Sequence, residues 1–278
     1  MGPIRAPAAS GRFYPADPTR LADEVDALCR DARAETGSAA PAPAIAAIAP
    51  HAGYAYSGPT AARVFVRVAL PRVTVIVAPN HTGVWRAPGG ASLVRRGAFR
   101  TPLGDVAVAE DFGGALLAAE PLVSEDADAH RGEHAVEVEL PFLQRLRPDA
   151  RIVPLVLAFA DWGPCRALGD TLARLVRAWP EPVLLVASSD LDHYEPAFVS
   201  ERKDARALSA VEALDGAELL ARCEREDISM CGRGAAATVL AAATTLGATR
   251  AAVVDYRHSG QVTGDLERVV GYGGVVIT

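Results

Sequence analysis

Aromatic residues are scarce in this 278-residue chain, 6% of the total, and cysteine is scarcer, with only Cys29, Cys165, Cys223 and Cys231. The four thiols form no CxxC pair and show no even spacing, which reads as reduced thiols rather than a disulfide framework. Basic clusters are missing as well. The formal net charge is -6, and no basic run offsets it, which argues against nucleic acid or an anionic membrane as partner. No apolar run approaches the roughly 20 residues of a membrane span. Residues 1–14 lack the apolar core of a secretion signal, and Ala6 stands where myristoylation requires serine or threonine. The expectation is a soluble cytoplasmic protein. P-loop, GxGxxG and GxSxG patterns are also lacking, so nucleotide binding and serine hydrolysis have no support.

What the chain does have is apolar mass, 50% of its residues, enough to fill the core of one α/β domain over residues 1–278. One pattern organises it. Ala44-Ile45-Ala46-Ala47-Ile48-Ala49 reads as a doubly buried strand and runs through Pro50 into His51. Val73 to Ala78 runs into Pro79-Asn80-His81, and Val183 to Ala187 into Ser188-Ser189-Asp190-Leu191-Asp192-His193. Three strands each lead into a histidine. In open α/β sheets ligands bind beyond the carboxyl ends of the strands, so parallel neighbours would bring these imidazoles to one crevice.

Around this frame, residues 18–33 read as a helix with Asp17 as cap and Leu21, Val25 and Leu28 on its core face, and 35–43 as a loop. Pro59 is expected to open a helix lasting to about residue 68. Residues 91–96 and 101–108 look like an antiparallel strand pair about a Thr-Pro-Leu-Gly turn. Residues 110–119 are helical, 121–131 acidic and irregular with His130 at the surface, and 133–146 one helix with His134 and Glu137 on a shared face. Strands at 152–157, 251–256 and 271–277 alternate with helices at 164–179, 201–214 and 216–225 and an alanine-rich helix ending at Gly247. The whole implies a three-layer α/β/α sandwich about a mixed, largely parallel sheet.

Two histidines at equivalent strand ends favour metal ligation for His51 and His81 over satisfaction of loop carbonyls. Cys231 precedes a helix start, where the peptide dipoles favour thiolate; a buried, merely packing cysteine is the competing reading. Gly232 and Gly234 fit a close backbone approach. Asp190, Asp192 and His193 offer a general acid or base held by its own neighbour, or Ser189 and Asp190 simply cap the next element. His134 with Glu137 either orients a ring or substrate or belongs to a solvated helix face. Tyr54 and Tyr56 suit a pocket wall. His258 follows a strand and is a further pocket candidate.

Taken together, Pro50-His51-Ala52-Gly53-Tyr54, Pro79-Asn80-His81, Glu133-His134 with Glu137 and Leu140-Pro141-Phe142, Ser188-Ser189-Asp190 with His193, Met230-Cys231-Gly232-Arg233, and Tyr256 through Tyr272 resemble the Memo family. Its prokaryotic members are labelled AmmeMemoRadiSam system protein B. The resemblance spans essentially the whole chain and implies the fold of class III (protocatechuate-type) extradiol dioxygenases, which use non-haem Fe(II). Carried over residue by residue, it implies His51, His81 and Cys231 as metal ligands, with Asp190 and His193 beside the metal as proton-handling residues. His134 joins them as a catalytic candidate, and Tyr54, Tyr56, Glu137 and Arg233 as substrate contacts. A cysteine in place of the dioxygenases' carboxylate softens the donor set, so Cu or Zn competes with Fe(II). The expected activity is O2-dependent oxidation of a small aromatic or phenolic substrate. A zinc hydrolase and a non-catalytic copper-, iron- or peptide-binding protein are the alternatives, since the animal member is regarded as a signalling adaptor and metal handler. Radical SAM and companion proteins of the same system are implied partners. Monomer and dimer stay open.

Overall fold

Doubly buried strands stop where polar, turn-forming residues begin, and that rule sets the sheet. The computed structural model describes residues 2–35 and 40–278. Its strands are β1 (Ile4–Arg5), β2 (Ala46–Ala49), β3 (Val73–Pro79), β4 (Ala91–Leu93), β5 (Ala98–Thr101), β6 (Gly104–Val108), β7 (Val123–Glu125), β8 (Arg151–Leu157), β9 (Val183–Ser188), β10 (His193–Glu195), β11 (Ala251–His258) and β12 (Val269–Ile277). The main path runs β1-β5-β6-β8-β3-β9-β2-β12-β10, with β11 on β12 and β4 and β7 attached through β8. From β6 to β2 neighbours are parallel; β12 joins β2 antiparallel. Every residue of β3, β9 and β2 is buried, as central strands covered on both faces must be.

Ten helices are described: α1 (Pro18–Glu35), α2 (Tyr54–Phe65), α3 (Glu110–Ala119), α4 (Asp128–Arg131), α5 (Leu140–Leu146), α6 (Trp162–Ala178), α7 (Ala197–Glu212), α8 (Gly216–Arg225), α9 (Arg233–Leu246) and α10 (Gly260–Thr263). Alternate strand residues feed two cores. Ile76 and Ala78 pack with Leu21, Val25, Phe65 and Phe142 of α1, α2 and α5. Val75 and Val77 pack with Phe112, Leu172, Leu219 and Val239 of α3, α6, α8 and α9. The expected helix-sheet-helix layering and mixed, largely parallel sheet are observed.

Local expectations fare unevenly. Asp17 caps α1, its Oδ1 accepting from the Arg20 amide at 2.8 Å, and the buried stripe is Leu21, Val25, Cys29 and Ala32. The loop expected over 35–43 falls in part on 36–39, outside the described residues. The helix expected from Pro59 begins earlier, at Tyr54, and contains the proline; burial of Ala61, Ala62, Val64 and Phe65 outweighs the one backbone bond that proline removes. The Thr-Pro-Leu-Gly turn does close an antiparallel pair, but its partners are β5 and β6, while residues 91–93 pair with β8 and β7. The acidic stretch 121–131 carries a short strand and helix rather than none. His130, expected at the surface, is buried, its Nε2 3.0 Å from the Ser92 carbonyl.

Candidate metal centre

The sheet order makes β3, β9 and β2 direct parallel neighbours, with Ala49 opposite Ser188 and Val77 opposite Ala187. The condition set on the three strand-to-histidine passages is therefore met, and His51 and His81 leave the sheet side by side with ring centroids 5.1 Å apart. His134 completes the group. Its ring lies 4.6 Å from that of His81 and 5.3 Å from that of His51, and ligand nitrogens of the three lie within 4.8 Å of one another.

Two of the rings are tied from outside. The His51 Nδ1 meets Ser188 Oγ at 2.8 Å, and the His81 Nδ1 meets Glu133 Oε1 at 2.9 Å. In each case Nε2 faces inward, toward the other rings or, for His51, also toward Cys231, the arrangement that metal-binding histidines favour. Glu133 is buried and accepts in addition from the amides of His81, His134 and Ala135 at 2.6, 2.8 and 3.0 Å. Burial is the largest single influence and raises its pKa, but the bond and charge of His81, the Ala135 amide and His134 together outweigh it, and the carboxyl titrates below its usual value. Burial and the neighbouring His81 hold His51 well below the normal imidazole range. Burial likewise pushes His134 down to about 4; in His81 burial is the largest single influence and lowers it, but the Glu133 bond and charge together with Asp190 outweigh it and the ring titrates above its usual value. Neutral rings are the ligating form.

Cys231 meets this group at one point, its Sγ 3.3 Å from His51 Nε2. Packing brings it there: a Cβ on Gly232 would come within 2.5 Å of the Ser188 carbonyl oxygen, and one on Gly234 would strike the Phe159 carbonyl. The expected close backbone approach at both glycines is thus real. Burial and the Asp190 carboxyl push the Cys231 thiol upward, against the direction expected from the helix start. The converging trio is therefore His51, His81 and His134, where sequence reasoning had placed Cys231 third and given His134 a catalytic role.

Asp190 holds the His51 loop, its Oδ1 accepting from the His51 amide at 2.9 Å, and its own amide donates to Cys231 Sγ at 3.3 Å. Burial lifts its carboxyl to about 7. His193 opens β10 with its ring half-buried; its Nδ1 lies 3.1 Å from the Ser229 carbonyl, which can only accept, so Nε2 is the free base. Asp192 is fully buried and accepts from the Ser229 amide and hydroxyl and from Ser200.

Other nominated residues lie elsewhere. Tyr54 is buried beside Phe142, its hydroxyl donating to the Val138 carbonyl at 2.7 Å; it is core, not pocket wall. Tyr56 is partly exposed. Glu137 does not share a helix face with His134, because residues 133–134 lie outside any helix and a turn at 135–136 precedes the 3-10 segment, Glu137–Glu139. Its carboxylate instead binds Arg5, Tyr14 and the amides of Ala8 and Ala9. His258 is buried beside Glu201. Arg233 borders a cleft of about 460 Å³ together with Trp85, Phe159, Met230 and Cys231. Sequence reasoning missed the reach of Glu133 and of Phe13, whose ring lies 4.5 Å from that of His134; adjacency to His134 was the available signal for Glu133, and for Phe13 the aromatic pair in the arm 11–15 pointed only to packing on the body.

Residues 5–276 match the family model of Memo-like proteins. The chain belongs to the Memo family. A MEMO1 family protein of Methanopyrus kandleri is 36% identical over 281 residues, covering 98% of each chain. One from Aquifex aeolicus is 38% identical over 274 residues, again 98% of each, and one from Methanocaldococcus jannaschii is 35% identical over the full length of both. Among solved structures, an uncharacterized protein of Escherichia coli K12 superposes with a TM-score of 0.51 at 13% identity, covering 82% of this chain and 98% of that one. That likeness concerns the fold alone.

Proposed function

We propose that this Memo family chain is a metal-dependent oxidoreductase that acts with O2 on a small aromatic or phenolic substrate, with His51, His81 and His134 holding the metal and Cys231 at its edge. The observation that carries the metal reading is the convergence of three ring nitrogens, with the outer nitrogens of His51 and His81 already engaged by Ser188 and Glu133. The donors fit the group: three imidazoles beside a soft sulfur suit iron, copper or zinc. Fe(II) or Cu would supply one-electron chemistry toward O2, and Fe(II) is the first choice. The chain's own residues do the rest. His193 takes the phenolic proton, the Trp85–Phe159 cleft accepts a ring, Arg233 offers charge to an anionic substituent, and Phe13 packs against His134.

A second reading, zinc-dependent hydrolysis, draws on the same trio, because three histidines and an open position also suit a water-activating zinc. Protein purified without oxygen and analysed for metal separates the two. The oxidoreductase reading expects iron or copper, and O2 uptake with a phenol, catechol or indole panel that is lost in His81→Ala and His193→Ala. Zinc occupancy and no uptake across the panel would reject it.

A further inference from the structure

Behind His51 lies a buried acid that the proposed chemistry does not use. Glu139 is fully buried, its Oε1 2.9 Å from Ser188 Oγ and its Oε2 without a hydrogen-bond partner. Ser188 Oγ has two further neighbours at 2.8 Å, the Ala135 carbonyl and His51 Nδ1.

Counting protons decides how these four groups are wired. A serine hydroxyl has one proton to give and two lone pairs to accept with, and a carbonyl can only accept. If Ser188 gave its proton to Glu139 or to His51, the buried Ala135 carbonyl would face a bare oxygen at hydrogen-bond distance. Given to Ala135, the proton satisfies that carbonyl, and the other two contacts must then donate to Ser188. His51 donates as Nδ1–H, and Glu139 can donate only as a carboxylic acid. The unpartnered Oε2 agrees, since a carboxylate would bury an unpaired charged oxygen at high cost whereas a neutral carbonyl oxygen costs much less. The charged and titratable groups facing Glu139, Asp190 from the end of β9 and the Tyr54 hydroxyl from α2, are acidic and also disfavour its ionisation. Burial chiefly raises Glu139 to about 8.

We propose that Glu139 is held as a neutral carboxylic acid donating to Ser188, and that Ser188, held by this bond and by its own bond to the Ala135 carbonyl, keeps His51 protonated on Nδ1 with Nε2 directed toward His81, His134 and Cys231. The functional consequence rests on the metal reading given above; the tautomer does not. Such outer partners typically change metal affinity by about 10- to 100-fold.

The test uses histidine labelled with nitrogen-15 in the metal-free protein, together with cobalt(II) titration. His51 is expected as the Nδ1–H tautomer in wild type and in Glu139→Gln, whose amide can still donate to Ser188. In Ser188→Ala, which removes the acceptor of the His51 Nδ1–H, the tautomer shifts toward Nε2–H and cobalt(II) binding weakens by about tenfold or more; in Glu139→Met, where Ser188 still donates to Ala135 and accepts from His51, the tautomer stays as in wild type. Difference infrared spectra of wild type against E139Q at neutral pH should show one protonated-carboxyl band. Thermal midpoints confirm that each variant is folded. Absence of that band, a wild-type Nε2–H tautomer, or an unchanged tautomer in S188A would overturn the proposal. If wild type takes up no cobalt(II), the metal reading fails alone, and the tautomer and infrared results still decide the positioning claim.

Discussion

Glu133 and Glu137 lie four residues apart, both fully or nearly fully buried, yet they serve opposite ends. Glu137 spends both oxygens on Arg5, Tyr14 and two amides of the N-terminal arm; nothing in its surroundings is left unfilled. Glu133 ties His81 and the backbone around His134, and the rings it orients keep free nitrogens pointing at one another. A buried polar cluster becomes a site when its outer bonds are complete and its inner valences are open.

Removing Arg5 tests the closed cluster hardest. Arg5→Ala leaves Glu137 buried with part of its charge unpaired and should cost about 3–5 kcal/mol, read from urea unfolding. Metal affinity of the folded fraction should stay at the wild-type level; a large loss there would merge the two clusters into one. The open cluster responds in the reverse way. His134→Ala should weaken cobalt(II) binding by about 100-fold or more, beyond the effect of an outer partner, while the unfolding midpoint moves little. Unchanged binding would remove His134 from the ligand set.

A third buried acid sharpens the comparison through pH. Asp204 accepts from the Asp192 amide and the Tyr256 hydroxyl, and burial lifts its carboxyl to about 7. A folded-state pKa above the unfolded one stabilises at low pH and loses that contribution as pH rises through the folded value. From about pH 4 to about pH 7 this group should lower stability by about 1.4 kcal/mol per pH unit. Asp204→Asn should remove that slope in parallel urea series; identical slopes would show the acid to be ionised throughout. The smallest effect belongs to the exposed Arg145–Asp26 pair. Asp26 is lowered chiefly by its bond from Arg145, so its contribution is present at neutral pH and lost as pH falls through the folded value. Arg145→Ala should cost under about 1 kcal/mol at pH 7, and less at pH 3; a larger cost would mean the pair is less solvated than its exposure indicates.

Much of the site was legible because strand ends are local. An apolar run that meets Pro50, Pro79-Asn80 or Ser188-Ser189 must leave the sheet there, and the next imidazole is delivered to its carboxyl edge. The segment after Gly132 was misread for an equally local reason. Helical spacing put His134 and Glu137 on one face, but the Glu133 carboxylate captures the amides of His134 and Ala135, so the chain turns before the helix starts and the two side chains diverge. His130 was misplaced because an acidic loop looks solvated until β4 and β7 pair across it.

By itself the sequence determined the layered fold, the two strand-end histidines and membership of the family, since burial period and turn chemistry act within a few residues. Tertiary packing alone decided that His134 is the third nitrogen of the cluster, that Cys231 touches His51 across 180 residues, and that Glu133, Ser188 and Glu139 stand behind the rings. Which valence of a histidine is spent and which is open depends on atoms from distant segments, and no local pattern encodes their meeting.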